Sequence, residues 1–116
     1  MIQAELKRLH SDIFDLEHHR PEKEAFGISV QAMFGPKGTK GEESFDFTIC
    51  TPQWFSERYD GEIILGLHHL IVPSYDYAKI VGFISKFASG CFGKDWKEVA
   101  RKLSRLGSWE FEDYRP

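Results

Sequence analysis

Cysteine is scarce in this sequence, since Cys50 and Cys91 are the only two among 116 residues. Two cysteines cannot build the disulfide framework of a small secreted domain, so we expect a protein of a reducing compartment, the cytoplasm. Long hydrophobic runs are also missing: the longest, residues 63–72, contains Gly66 and two histidines and is too short to span a membrane. Residues 1–5 lack the basic and apolar regions of a signal peptide, and we therefore expect no secretion signal.

An excess of positive charge is absent too. The chain has 15 Lys and Arg against 18 Asp and Glu, a net charge of −3, which is unlike a free-standing nucleic-acid binder. Hydrophobic residues make up 41% and aromatic residues 15%, the composition of a globular protein with a well-filled core. With no internal repeat and this length, we expect one domain over residues 1–116.

The motifs of common active sites are not found. Residues 35–38 (GPKG) follow a predicted strand but lead into another strand, so no helix N-terminus is available to receive a phosphate. Cys50 and Cys91 are interpreted as structural thiols. His68 and His69 are adjacent on a predicted strand and would point to opposite faces, so they cannot bind one metal ion together. We expect a protein that is not an enzyme and that holds no metal or cofactor.

Alternating apolar residues predict strands in the first part of the chain. The period of two is clear over residues 2–9, 26–34 and 45–49, and residues 35–41 are interpreted as the tip of a hairpin. Residues 63–72 are apolar on both faces, which predicts a central strand covered on both sides. This makes four strands, and the tail from Trp109 to Tyr114 is interpreted as either a short edge strand or an ordered arm.

The period changes to that of a helix after Pro73. Apolar residues spaced three and four apart predict one helix from Tyr77, with Ser74 as its cap, and Gly90 is placed to end it. Asp95 followed by Glu98 predicts the start of a second helix. The expected fold class is α+β, a mainly antiparallel sheet of four to five strands with two C-terminal helices packed on one face.

Charge is distributed unevenly along the chain, with a net of −5 over residues 1–75 and +4 over residues 76–107. The acidic side chains form three groups along the sequence, namely Glu42, Glu43 and Asp46, then Glu57, Asp60 and Glu62, and then Glu110, Glu112 and Asp113. These groups are either an ordinary solvated surface or an acidic face that docks a basic protein. The basic side of the second helix, at Lys94, Lys97, Arg101, Lys102 and Arg105, is either a solvated helix face or an RNA-binding stripe.

Several segments together resemble the immunity protein 8 family. They are residues 4–11 (AELKRLHS), 43–47 (ESFDF), 50–54 (CTPQW) and 109–114 (WEFEDY), with 69–72 (HLIV) and the Asp95-Trp96 helix start between them. The resemblance covers essentially the whole chain in order. It implies an immunity protein of a bacterial polymorphic toxin or contact-dependent growth inhibition system, which protects the producing cell by binding a cognate toxin C-terminal domain, commonly a nuclease. No nucleic acid, membrane or small-molecule ligand is expected as a partner.

The toxin-contact residues are predicted from chemistry. A nuclease presents Lys and Arg around the cleft that grips phosphates, so its inhibitor gains by offering carboxylates. The candidates are Glu42, Glu43, Asp46, Asp60, Glu62, Glu110, Glu112 and Asp113. Two other functions stay open: a small enzyme or metal-binding protein that uses His68, His69, Cys50 or Cys91, and an RNA-binding domain that uses the basic helix face.

Overall fold

The fold is described by a computed structural model, which covers residues 1–112. The strands are β1 (Ile2–His10), β2 (Gly27–Pro36), β3 (Glu43–Cys50), β4 (His69–Ile71), β5 (Phe92–Gly93) and β6 (Ser108–Trp109). The helices are α1 (Pro52–Arg58), α2 (Tyr77–Ser89) and α3 (Trp96–Leu103).

The six strands form one sheet in the order β4-β3-β2-β1-β5, with β6 also paired to β3. The neighbours β1, β2 and β3 are antiparallel, and β5 and β6 add antiparallel pairs at β1 and β3. β4 is parallel to β3. The described sheet is therefore mixed and has six strands, so the expected count of four to five and the mainly antiparallel description are inexact.

The predicted alternation of β2 and β3 is confirmed. On β2, Ile28, Val30, Ala32 and Phe34 are buried while Ser29 is exposed. β3 continues the pattern, because Phe45 and Phe47 are buried and Asp46 between them is exposed. Successive side chains on a strand point to opposite faces, so this pattern places one apolar face against the core and one polar face toward solvent. We call these the inner and the outer face.

The predicted central strand over residues 63–72 is wrong. Only His69–Ile71 forms a strand, at the edge of the sheet, and Ile63 and Leu65 before it are 103% and 90% exposed. The backbone explains the break, since Gly66 and His68 have φ angles of 74° and 65°, which no extended strand contains. An apolar run predicts a buried strand only when its backbone can pair with a sheet. Here the backbone before His69 does not adopt the extended conformation that pairing requires.

The two predicted C-terminal helices are present and pack into the same hydrophobic core as the inner face. The α2 cap is Asp76 and not Ser74, since an Asp76 carboxylate oxygen accepts a hydrogen bond from the Lys79 backbone N–H at 3.2 Å. The predicted Asp95 cap of α3 is confirmed by its 2.9 Å bond from the Glu98 backbone N–H.

The helix α1 was not predicted, so the chain has three described helices and not two. Thr51 caps it by accepting from the Trp54 backbone N–H at 3.3 Å, and Pro52 occupies the first turn, where proline is favoured. A Cβ at Gly27 would point to the outer face and would lie 2.2 Å from the Trp54 indole. Glycine at position 27 thus allows α1 to cover one end of the outer face, opposite α2 and α3.

Candidate functional site

Pairing of β6 with β3 brings two of the three acidic groups together. Phe45 lies opposite Trp109 and Asp46 opposite Ser108. Beyond the pair, a Glu110 carboxylate oxygen accepts from the Ser44 backbone N–H at 2.7 Å. We name the resulting surface the acidic edge, and its described members are Glu42, Glu43, Asp46, Glu110 and Glu112.

Some carboxylates of the acidic edge are already paired within the fold, and others are not. Glu42 is paired with Arg8 at 3.0 Å and Glu110 with the backbone of Ser44. Asp46 and Glu112 are exposed, and no hydrogen-bond or ion-pair partner of either carboxylate lies within residues 1–112. These two carboxylates are the ones most open to a partner.

Glu43 has a role inside the fold. One of its carboxylate oxygens accepts hydrogen bonds from the indole N–H of Trp96 at 2.5 Å and of Trp109 at 2.9 Å. Glu43 is the first residue of β3, and its half-buried side chain connects the start of α3 to β6. Glu43 was predicted as a partner contact, because no local pattern around positions 43, 96 and 109 indicates that these residues meet.

The remaining acidic residues, Asp60 and Glu62, are exposed and follow the end of α1. Asp60 precedes, and Glu62 lies near the start of, a segment that we name the apolar loop, residues 61–67. In this loop Ile63, Leu65 and Leu67 are 103%, 90% and 56% exposed. The exposure of this loop was not predicted, because the pattern of residues 63–72 is that of a buried strand.

The apolar loop reaches the same edge of β3 as the acidic edge. The Thr48 backbone N–H donates to the His68 carbonyl at 3.0 Å, directly after the loop, and Thr48 is two residues from Asp46. β4 and β6 both pair with the side of β3 that faces away from β2. The fold therefore sets an apolar segment and a set of carboxylates along one strand edge, although they are distant in sequence. Asp113, the last predicted contact, lies outside the described residues.

The histidines that end the loop have structural partners. His68 Nε2 lies 3.0 Å from the Ser104 carbonyl oxygen, and His69 Nε2 lies 3.2 Å from the Tyr59 hydroxyl. Burial raises the pKa of the Cys50 and Cys91 thiols, which keeps both protonated near neutral pH and makes them poor nucleophiles. Within residues 1–112, no group of three or more His, Cys, Asp or Glu side chains could hold a metal ion.

The basic side of α3 is partly used by the fold. Lys102 is half-buried, and its Nζ donates to the Phe92 carbonyl at 2.6 Å, which ties α3 to β5. Lys97 and Arg101 are exposed. Over the described part of the chain, no helix is both long and apolar enough to cross a membrane.

The model of the family described as immunity protein 8 matches residues 4–114 of the 116. The chain belongs to the immunity protein 8 family. The match confirms the resemblance carried by the opening, middle and closing motifs. Comparison with curated proteins and with solved structures gave no significant match. Membership of this family makes the chain an immunity protein, and the partner that the family implies is a protein toxin. The acidic edge and the apolar loop are both exposed surfaces of this immunity protein.

Proposed function

We propose that this immunity protein neutralises a cognate nuclease toxin by direct binding, without catalysis of its own, and that the acidic edge faces the toxin's phosphate-binding cleft. The observation that supports this most directly is the β3–β6 pairing, which collects carboxylates from residues 42–46 and 110–112 on one surface. The toxin is proposed to be the C-terminal domain of a polymorphic or contact-dependent growth inhibition toxin, met in the cytoplasm of the producing cell.

The electrostatic argument sets the expected roles of the acidic residues. A cleft that holds a nucleic-acid backbone presents clustered Lys and Arg, and carboxylates offered to them raise the association rate and suppress wrong partners. Within residues 1–112 the carboxylates of Asp46 and Glu112 have no partner and are available for this task, and Asp60 and Glu62 add negative charge at the start of the apolar loop. Glu42 and Glu110 would have to share or exchange their present partners. Asp113 is retained in the proposal because it follows Glu112 directly.

The test uses the toxin domain encoded by the adjacent open reading frame, purified with the immunity protein. We expect equimolar immunity protein to abolish its nuclease activity. The double charge reversal Asp46→Lys with Glu112→Lys should weaken the complex by about 100-fold, since it replaces attraction with repulsion at two open positions.

A matched control reverses two exposed glutamates elsewhere, Glu22→Lys with Glu24→Lys, which lie in the segment between β1 and β2. It changes the net charge equally and should alter affinity less than about threefold if the effect depends on position. Full nuclease activity with the unaltered immunity protein present would reject neutralisation by binding. Equal losses in the two double variants would show that net charge alone is sensed and would reject the acidic edge.

A further inference from the structure

The apolar loop exposes three large aliphatic side chains in one short stretch. Ile63, Leu65 and Leu67 are 103%, 90% and 56% exposed, whereas single exposed apolar residues are normal on protein surfaces. Contiguous apolar exposure typically marks a surface that another molecule covers. Since the loop adjoins the edge of β3, it continues the surface on which the acidic edge lies.

The loop is held at both ends by the rest of the protein. At its start, the Glu62 backbone N–H donates to the Tyr59 carbonyl at 2.9 Å, and at its end His68 is bonded to Thr48 and lies 3.0 Å from the Ser104 carbonyl oxygen. His68 has a φ of 65°, an uncommon conformation for a residue other than glycine. These anchors at both ends restrict the loop before any partner arrives, which lowers the ordering cost of binding.

The charges around the loop indicate what kind of partner fits it. Asp60 and Glu62 precede the aliphatic residues. The nearest basic residue in sequence, Arg58, lies over the Tyr59 ring at 5.2 Å from its centroid, and no Lys or Arg follows it up to Tyr75. Two copies of this chain that met through the loop about a twofold axis would bring these carboxylates against their own copies, which is unfavourable. An anionic membrane surface would be repelled in the same way. The complementary partner has an apolar recess rimmed by Lys or Arg.

We infer that the apolar loop is the energetic centre of the toxin interface, with Ile63, Leu65 and Leu67 seated in an apolar recess of the toxin and Asp60 and Glu62 on basic groups at its rim. This inference rests on the proposed function and goes beyond it, because it moves the main source of affinity from the acidic edge to the loop. The acidic edge then supplies charges at the border of the interface. Buried apolar anchors surrounded by a polar rim are the usual arrangement of strong protein interfaces.

The experiment measures binding kinetics of Ile63→Ser, Leu65→Ser and Leu67→Ser with the purified toxin domain of the adjacent reading frame. We expect Leu65→Ser, and at least one of the other two, to weaken the complex by about 30-fold or more, mainly through faster dissociation. Ile13→Ser is the matched control, since Ile13 is 79% exposed and follows β1, which is separated from β4 by β2 and β3. It should leave binding unchanged. Because all four positions are exposed, thermal melting should show folded proteins throughout.

The outcomes separate the inference from the proposed function. Tight binding by the unaltered protein, with all three loop variants equally tight, overturns the inference and leaves neutralisation by binding intact. No binding by the unaltered protein rejects both. A dimer of the unaltered protein in sedimentation that Leu65→Ser dissociates assigns the loop to a second copy and overturns the inference. Flotation with phosphatidylcholine vesicles that the same variant abolishes assigns it to a lipid surface, with the same consequence.

Discussion

A single carboxylate, that of Glu43, links three elements of the fold. It accepts the indole N–H of Trp96 from α3 and of Trp109 from β6, while its own backbone lies in β3. Hydrogen bonds to an ionised acceptor are stronger than neutral ones, and a half-buried donor that loses its acceptor keeps the cost of its lost hydration.

We therefore expect Glu43→Ala to lower the free energy of unfolding by about 2–3 kcal/mol, since it leaves two indole N–H groups without an acceptor. Glu43→Gln keeps one carbonyl oxygen in place and should lose clearly less. Urea denaturation followed by tryptophan fluorescence measures both. Glu42→Ala is the neighbouring control, and because its pair with Arg8 is at the surface, it should cost no more than about 0.5 kcal/mol. Similar losses for Glu42→Ala and Glu43→Ala would contradict the structural role of Glu43.

At the scale of elements, α3 shows how an amphipathic pattern becomes a packed helix. Val99, Ala100 and Leu103 are fully buried, and Lys97 and Arg101 on the other side are exposed. Close packing extends to β5, where a Cβ at Gly93 would lie 2.9 Å from the Glu98 Cβ. The buried side of this helix is thus tightly matched to its neighbours.

Truncation of the buried side should be far more costly than truncation of the exposed side. Leu103→Ala removes a fully buried side chain and is expected to lower the free energy of unfolding by about 2–5 kcal/mol, a large share of the stability of a small protein. Lys97→Ala should change it by less than about 0.5 kcal/mol. Thermal and chemical denaturation of the two variants provide the comparison, and two small, equal effects would show that the helix face is assigned wrongly.

At the scale of the whole molecule, charge is segregated between parts of the fold. Residues 1–75 carry a net of −5, most of it in the segments outside the strands, and residues 76–107 carry a net of +4, of which α2 and α3 each contribute +2. Such a separation orients the molecule in the field of a charged partner. Because salt screens these charges, the orientation in which the protein approaches its partner should depend on salt concentration.

We expect the association rate with the toxin domain to fall by about tenfold or more when salt is raised from about 50 mM to about 500 mM, because screening shortens the reach of the acidic edge. Dissociation should change much less. Stopped-flow mixing at several salt concentrations gives both rates. The Asp46→Lys with Glu112→Lys variant should lose most of this salt dependence, and an association rate of the unaltered protein that ignores salt would reject steering by the acidic edge.

Local patterns in the sequence were sufficient for much of the fold. Alternation of apolar and polar residues predicted β1, β2 and β3, because in a strand with one buried face every second side chain points to the core. The spacing of apolar residues predicted α2 and α3, and the Asp95 cap followed from residues only three positions apart. The family motifs were visible in the same way, and the match over residues 4–114 confirmed them.

Tertiary structure alone decided the candidate site. The apolar run of residues 63–72 has the hydrophobicity of a buried strand, yet left-handed backbone at Gly66 and His68 leaves most of it outside the sheet. The meeting of Glu43 with two distant indoles, and of Asp46 with β6, depends on pairing between segments more than 50 residues apart in sequence. Local periodicity reports which face of an element is apolar, but it carries no information on which other element covers that face. That choice is made by long-range packing, and it determined which carboxylates are free and which aliphatic side chains stay exposed.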